Sequence, residues 1–241
     1  MGSAYYYTTY ADVSGAFSIP NVRTGSYGLQ AWSNGSSIRD VSTTFTIDSL
    51  SVTKDQATDL GPLTWTVSPK QKLFQVGDFD RYSYGFRNGG APWQHALVAQ
   101  CPENLVYKAG CSETADWCMG QTYKGNWTIR FWVGEEPSST TREPTLIVSL
   151  AGYSSGASST IWANGVAVGN LTSGAVGTTA TNGLVSDPSL YRSATAAGEW
   201  RYFEFGFGAE VLKKGANEVT FQMTRNTTWH GMMWDSIILE W

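Results

Sequence analysis

The chain has 241 residues, with 16 Lys+Arg against 20 Asp+Glu, a net charge of -4 and only 15% charged residues. That balance excludes a nucleic-acid binder held by phosphate neutralisation and a polybasic membrane-surface protein, both of which need clustered cations. A 41% hydrophobic share supplies a large core,, and no run approaches the ~20 apolar residues that span a bilayer.

Met1–Tyr7 has neither a basic n-region nor an apolar h-region, so no signal peptide is read in the chain as given,. Apolar residues then alternate with period two, at Phe17 and Ile19, at Tyr27, Leu29 and Ala31, at Phe45 and Ile47, and at Leu50 and Val52,. Ser14-Gly15 and Thr24-Gly25-Ser26 read as turns between them. Pro62 and Pro69 bracket a short stiff segment, so a small β unit is predicted over 1–66 and a larger one over 70–241,. In the larger unit, Ile129, Phe131 and Val133 alternate, as do Leu146, Val148 and Leu150. Ile161–Ala163 runs into Asn164-Gly165, a two-residue hairpin signal. Arg201, Phe203, Phe205 and Phe207 form a strand face, followed by Val219, Phe221 and Met223. Met233, Asp235, Ile237 and Leu239 share one side of the last strand. Only Ala209–Lys214 reads as helical, for one or two turns. The predicted class is all-β, with many short strands and turn signals that favour a sandwich or jelly roll.

Motifs for chemistry are sparse. His95 and His230 lie in no metal-spaced cluster, and there is no GxSxG or GxxxxGK[ST],. Gly85–Gly90 is glycine-rich, but no helix pattern follows to cradle a phosphate. Glu135-Glu136 sits beside Pro137 in a solvated loop. More informative are tryptophans in polar surroundings, since sugar rings stack their C–H faces on aromatics while their hydroxyls take fixed polar partners. Trp93, Trp117, Trp127, Trp200 and Trp229 are of this kind. Asp235, a carboxylate among apolar neighbours, must be paired, hydrogen-bonded or metal-bound. It is therefore a candidate Ca²⁺ ligand, with hydrogen bonding to backbone N–H groups as the alternative. No cofactor is required, and a structural Ca²⁺ is the one the residues allow.

Sequons at Asn34, Asn126, Asn170 and Asn226 point to secretion and mark glycosylation candidates,. Three cysteines, Cys101, Cys111 and Cys118, allow one disulfide,. Cys111–Cys118 is expected because a short loop closes easily, and Cys101–Cys111 is its alternative. The odd cysteine, the secretory features and the missing signal read as a piece of a longer secreted protein.

The segment Phe17–Tyr27 (FSIPNVRTGSY) resembles the GxFxIPxVrpGxY stretch of rhamnogalacturonan lyases, polysaccharide lyase family 4. Leu60–Trp65 (LGPLTW) resembles the exit of that family's middle domain, and Phe74–Arg81 (FQVGDFDR) resembles the WxIGxxDrt opening of its third. Asp116-Trp117, Asn164-Gly165, Leu190–Ala194, Gly215–Asn217 and Met233–Glu240 come next, in the family's order. The resemblance implies a fibronectin-III-like sandwich, incomplete where the family's opening strands are not seen, and then a jelly roll like a carbohydrate-binding module. It also implies that the lyase chemistry belongs to a first domain lying outside this chain. No catalytic residue is therefore assigned. The expected role is an extracellular, monomeric, non-catalytic region that binds pectic polysaccharide. Action within an active lyase and a structural β-sandwich are the alternatives. The expected binding residues are Arg81, Arg87, Trp93, Trp117, Tyr191, Arg192 and Trp229, with an arginine gripping a uronate carboxylate through two hydrogen bonds.

Overall fold

The computed structural model describes residues 7–32, 44–65, 70–89, 100–137, 143–153, 157–172, 201–224 and 231–241. Its first two strands, β1 (Gly25–Trp32) and β2 (Thr44–Val52), form an antiparallel pair with a register shift between Tyr27 and Leu29. Among the described residues this pair joins no other sheet. Tyr27, Leu29 and Ala31 are half-buried, and no described residue before Lys72 is fully buried.

The remaining strands build two sheets. One runs β10 (Arg201–Gly206), β7 (Thr145–Tyr153), β12 (Met232–Glu240) and β3 (Lys72–Val76), with β5 (Gly120–Gln121) pairing with β12. The other runs β4 (Leu105–Lys108), β6 (Gly125–Val133), β11 (Gly215–Met223), β8 (Ser158–Ala163) and β9 (Val166–Thr172). Alternation decides the second sheet. Trp127, Ile129, Phe131 and Val133 of β6 are buried, as are Val219, Phe221 and Met223 of β11, while the residues between them face outward,. Asn164 and Gly165 take positive φ (46° and 82°), the conformation that closes a two-residue turn between β8 and β9,. The predicted helical turn is a single 3-10 turn at Ala209–Val211.

Between the sheets lies an aromatic centre. Trp117 meets Trp127 edge-on at 5.1 Å and Trp234 at 5.8 Å, and Phe221 meets Trp234 at 4.9 Å. Strand β12 is buried along its whole length because both its faces are covered. Its pairing with β7 is interrupted at Asp235: Trp234 faces Leu150 and Ser236 faces Ser149, leaving Asp235 as the extra residue of a bulge,. The expectation that Asp235 shares a side with Ile237 and Leu239 is corrected by this bulge. A strict two-residue period does not survive an inserted residue.

The disulfide joins Cys101 to Cys118, with a Cα–Cα distance of 5.8 Å, and Cys111 is free and exposed. The expected Cys111–Cys118 pairing is thus corrected, and so is its alternative. Strand β4 and its turn, in which Cys111 N–H donates to Lys108 O at 3.0 Å, carry Cys111 to the surface. The chain then returns and brings Cys118 under the core beside Cys101, both buried. Proximity in sequence did not decide the pairing.

Candidate functional site

The β3–β4 connection crosses the outer side of the bulge. Gly77 opens it with φ 79°, and a Cβ there would strike both the Asp235 carbonyl and the Phe86 ring, so only glycine fits,. The Asp235 carboxylate, with no exposed surface, anchors the next residues of the connection. Its Oδ1 accepts from the backbone N–H of Asp80 at 3.1 Å and of Arg81 at 2.7 Å. Its Oδ2 accepts from the Ser149 hydroxyl. These donors are the bonds that a buried carboxylate requires. Among the described residues, no group of three or more His, Cys, Asp or Glu side chains is arranged to hold a metal ion.

Asp80 packs against the same carboxylate. Burial pushes its carboxyl above the ordinary value, opposed by hydrogen bonds from the Tyr82 N–H and with Asp235. Arg81 takes φ 74°, a left-handed backbone held by its bond to Asp235. Its guanidinium Nη2 donates to Gln30 Oε1 at 3.0 Å, tying β1 to this connection.

Beyond Arg81 the segment turns outward. Tyr82 and Tyr84 stack nearly parallel, 4.7 Å apart at 9°, on either side of buried Ser83. Tyr84 is 51% exposed. Phe86 returns to the core at 4% exposure and fixes the segment. Arg87 is exposed, and its side chain has no hydrogen bond or ion pair among the described residues. Its backbone is clamped, with N–H donating to Trp117 O at 2.9 Å and C=O accepting from Met119 N–H at 3.0 Å. The surface therefore offers an aromatic face and a positioned cation on a rigid footing.

Of the predicted binding residues, Arg81 and Arg87 fall on this one segment. Arg81 is engaged between Asp235 and Gln30, and Arg87 is open. Trp117 is corrected. It has no exposed surface and packs at the aromatic centre, so it cannot present a ring face to a sugar. Trp93, Tyr191, Arg192 and Trp229 lie outside the described residues, as do Asn34 and Asn226. Asn126 and Asn170 are exposed, on β6 and β9. Tyr82 and Tyr84 are missed by the sequence reasoning. Their alternation directly after Arg81, in a turn-rich stretch, is the signal that marks them.

A family model described as polysaccharide lyase family 4, domain III matches residues 72–239, and one described as polysaccharide lyase family 4, domain II matches residues 2–60. The chain belongs to polysaccharide lyase family 4. The family's domains II and III thus account for the two regions of the molecule. The rhamnogalacturonate lyase of Dickeya dadantii (strain 3937) is 26% identical over 239 residues, which are 98% of this chain and 38% of that protein. The chain spans well under half of that relative's length. Among solved structures, a family 35 carbohydrate-binding module from an environmental isolate is 12% identical, with TM-score 0.29 over 49% of this chain and 66% of that one. An exo-β-1,3-galactanase from Phanerochaete chrysosporium is 15% identical, with TM-score 0.30 over 50% of this chain and 22% of that one. Both likenesses are too remote to bear on function.

Proposed function

We propose that this chain is the carbohydrate-binding accessory region of a secreted, rhamnogalacturonan-lyase-like protein, and that it holds pectic polysaccharide on the β3–β4 connection. The observation that carries this reading is the exposed Tyr84 ring, stacked on Tyr82, beside the exposed Arg87, which has no ion pair among the described residues, on a domain of a polysaccharide lyase family. The Tyr84 face takes the C–H side of a sugar ring. Arg87, with its planar fork of N–H donors, takes a uronate carboxylate. The Cys101–Cys118 disulfide suits an oxidising, extracellular setting,.

Titration of the protein with rhamnogalacturonan oligomers and with a neutral galactan tests the reading. Tyr84→Ala is expected to weaken both by about tenfold, the cost of truncating an aromatic anchor. Arg87→Ala is expected to weaken only the acidic ligand and to flatten its salt dependence. Unchanged affinities in both variants, with the fold intact, would sink it.

A second reading follows from the similarity of nearly the whole chain to part of a rhamnogalacturonate lyase. In it, the region lines the cleft of an active lyase. Incubation of the chain with rhamnogalacturonan distinguishes the two, since release of unsaturated uronate by this chain alone would favour the second.

A further inference from the structure

Two of the four sequons fall on regular strands of one sheet, and strand geometry decides how they stand there. In Asn126-Trp127-Thr128 the middle residue is buried with no exposed surface, and in Asn170-Leu171-Thr172 so is Leu171. Side chains alternate along a strand, so both asparagines leave the sheet on its outer side. Both are exposed. The ladder then aligns them. Asn126 on β6 pairs with Gln222 on β11, Gln222 with Thr160 on β8, and Thr160 with Asn170 on β9. One cross-strand row therefore carries a sequon asparagine at each end, about 14 Å apart over three strand spacings.

The surface between them suits a neutral sugar. The next row runs Thr128, Thr220 and Trp162. The two threonine hydroxyls bond each other at 2.9 Å, and the half-buried Trp162 donates its indole N–H to Gln222 Oε1 at 3.1 Å. Trp162 is two residues beyond Thr160, which makes it the diagonal neighbour of Asn170, ~7–8 Å away,. Neither row holds a charge across β6, β11 and β8. The Arg130–Glu218 ion pair lies in the row after them. The platform is thus an indole with hydroxyls and amides around it. A neutral sugar meets it with an apolar C–H face on the indole and with hydroxyls on Thr160 and the Gln222 amide nitrogen.

We infer that Asn126 and Asn170 both carry N-linked glycans, and that the glycan on Asn170 folds back over Trp162, so that this sheet face is covered by the chain's own sugar. The donor class is a lipid-linked oligosaccharide. The asparagine amide nitrogen forms a bond to the anomeric carbon of the first sugar, the bond from that carbon to a polyprenyl diphosphate breaks, and the amide proton leaves with the diphosphate. N-x-Thr is the acceptor pattern for that transfer. The reading shares with the proposed function only its secretory setting, to which the Cys101–Cys118 disulfide also belongs,. Its consequence is that this face is closed to other partners, while the β3–β4 connection stays open.

The test secretes the full chain from a eukaryotic host and removes N-glycan enzymatically in heavy-oxygen water, which turns each occupied asparagine into labelled aspartate. Peptide mass spectrometry is expected to find label at Asn126 and at Asn170. Absence of label at either, in secreted and folded protein, overturns the proposal. Hydroxyl-radical footprinting before and after glycan removal reads the cover. Oxidation of Trp162 is expected to rise severalfold. Trp132, 72% exposed and six residues from Asn126 along β6, about 20 Å away, should change little,. Asn170→Gln should reproduce most of the rise and Asn126→Gln less of it, because Asn170 is the nearer. Glutamine keeps an amide on the exposed strand position and only breaks the sequon, so the fold is expected to persist, as circular dichroism would confirm. A Trp162 signal that does not respond overturns the cover, and so does an equal rise at both tryptophans. No polysaccharide enters these measurements, so their outcome is independent of whether the β3–β4 connection binds one.

Discussion

The two regions of this chain share a local grammar and differ in depth. In the first, β1 and β2 alternate correctly but face no second layer among the described residues. Tyr10, at 93% exposure, and Phe17, at 42%, remain open. In the second, the same alternation is repeated on two facing sheets, and strand β12 is buried on both sides. A lone antiparallel pair is marginal in water, whereas stacked sheets remove enough apolar surface to be stable. Period-two patterning makes a strand, and only a facing layer makes a core. The first region is therefore expected to draw on the second for order, and the Arg81–Gln30 bond is one tether.

The sharpest way to break this comparison is to open the core. Trp117 touches Trp127 and Trp234 with no exposed surface. Trp117→Ala is expected to cost about 3–5 kcal/mol, the usual range for deleting a buried aromatic. Urea denaturation followed by tryptophan fluorescence measures it, with hydrogen exchange to separate the regions. Amides of β6, β11 and β12 should lose protection, while those of β1 and β2 start low and change little. A variant with an unaltered midpoint would mean that the aromatic centre is not what distinguishes the sandwich.

The disulfide acts on the second region alone. Cys101 and Cys118 are 17 residues apart, and a loop of that size contributes roughly 3 kcal/mol in the chain-entropy account. Cys101→Ser is expected to lower stability by about that much. Cys111→Ser should stay within ~0.5 kcal/mol, as exposed substitutions do. Peptide mapping under non-reducing conditions checks the linkage, and a Cys111-containing bridge would contradict it.

Much of the fold is legible because its signals are local. The inward rows of β6, β7 and β11 stand in the sequence as alternating apolar residues, and Asn164-Gly165 announces its own turn. The illegible parts depend on inserted residues or distant neighbours. The bulge at Asp235 adds a residue inside an otherwise regular strand, and nothing in Trp234-Asp235-Ser236 marks it. Trp117 sits between Asp116 and Cys118, and polar Asp116 makes it read as exposed. Asp116 ends a short 3-10 turn (Thr114–Asp116) on the surface, and the chain then enters the core, burying Trp117, Cys118 and Met119 in succession. The candidate site is half visible. The arginines stand out in the sequence, but Tyr82 and Tyr84 become a platform only through a stack whose geometry depends on Gly77 and Phe86.

The subtlest contrast between the regions is in two aspartates that respond oppositely to pH. Asp12, in the first region, is exposed. Its Oδ1 accepts from the Ser14 hydroxyl at 2.6 Å, the Ser14 N–H at 2.8 Å and the Ala16 N–H at 3.0 Å. These bonds, the Ser14 hydroxyl first, favour the ionised form and hold its pKa below the ordinary value,. Asp80, in the second region, is shifted upward chiefly by burial, which disfavours its ionised form,. A lowered folded pKa gives stability that is present above the unfolded value and lost as pH falls through the folded one. A raised folded pKa gives the reverse: stability is fully present below the unfolded value and is lost as pH rises through the folded one. Acidification from neutral should thus first favour the sandwich, as Asp80 takes up its proton above the ordinary carboxylate value. Below that value it should loosen the Asp12 turn. Carboxyl carbon shifts measured by NMR over an acid titration read both groups directly. Asp80→Asn should remove the early gain and leave the Asp12 step unchanged. If both carboxyls titrated below the ordinary value, burial would not be setting the Asp80 proton, and the connection over the bulge would be more open to water than the aromatic core beneath it.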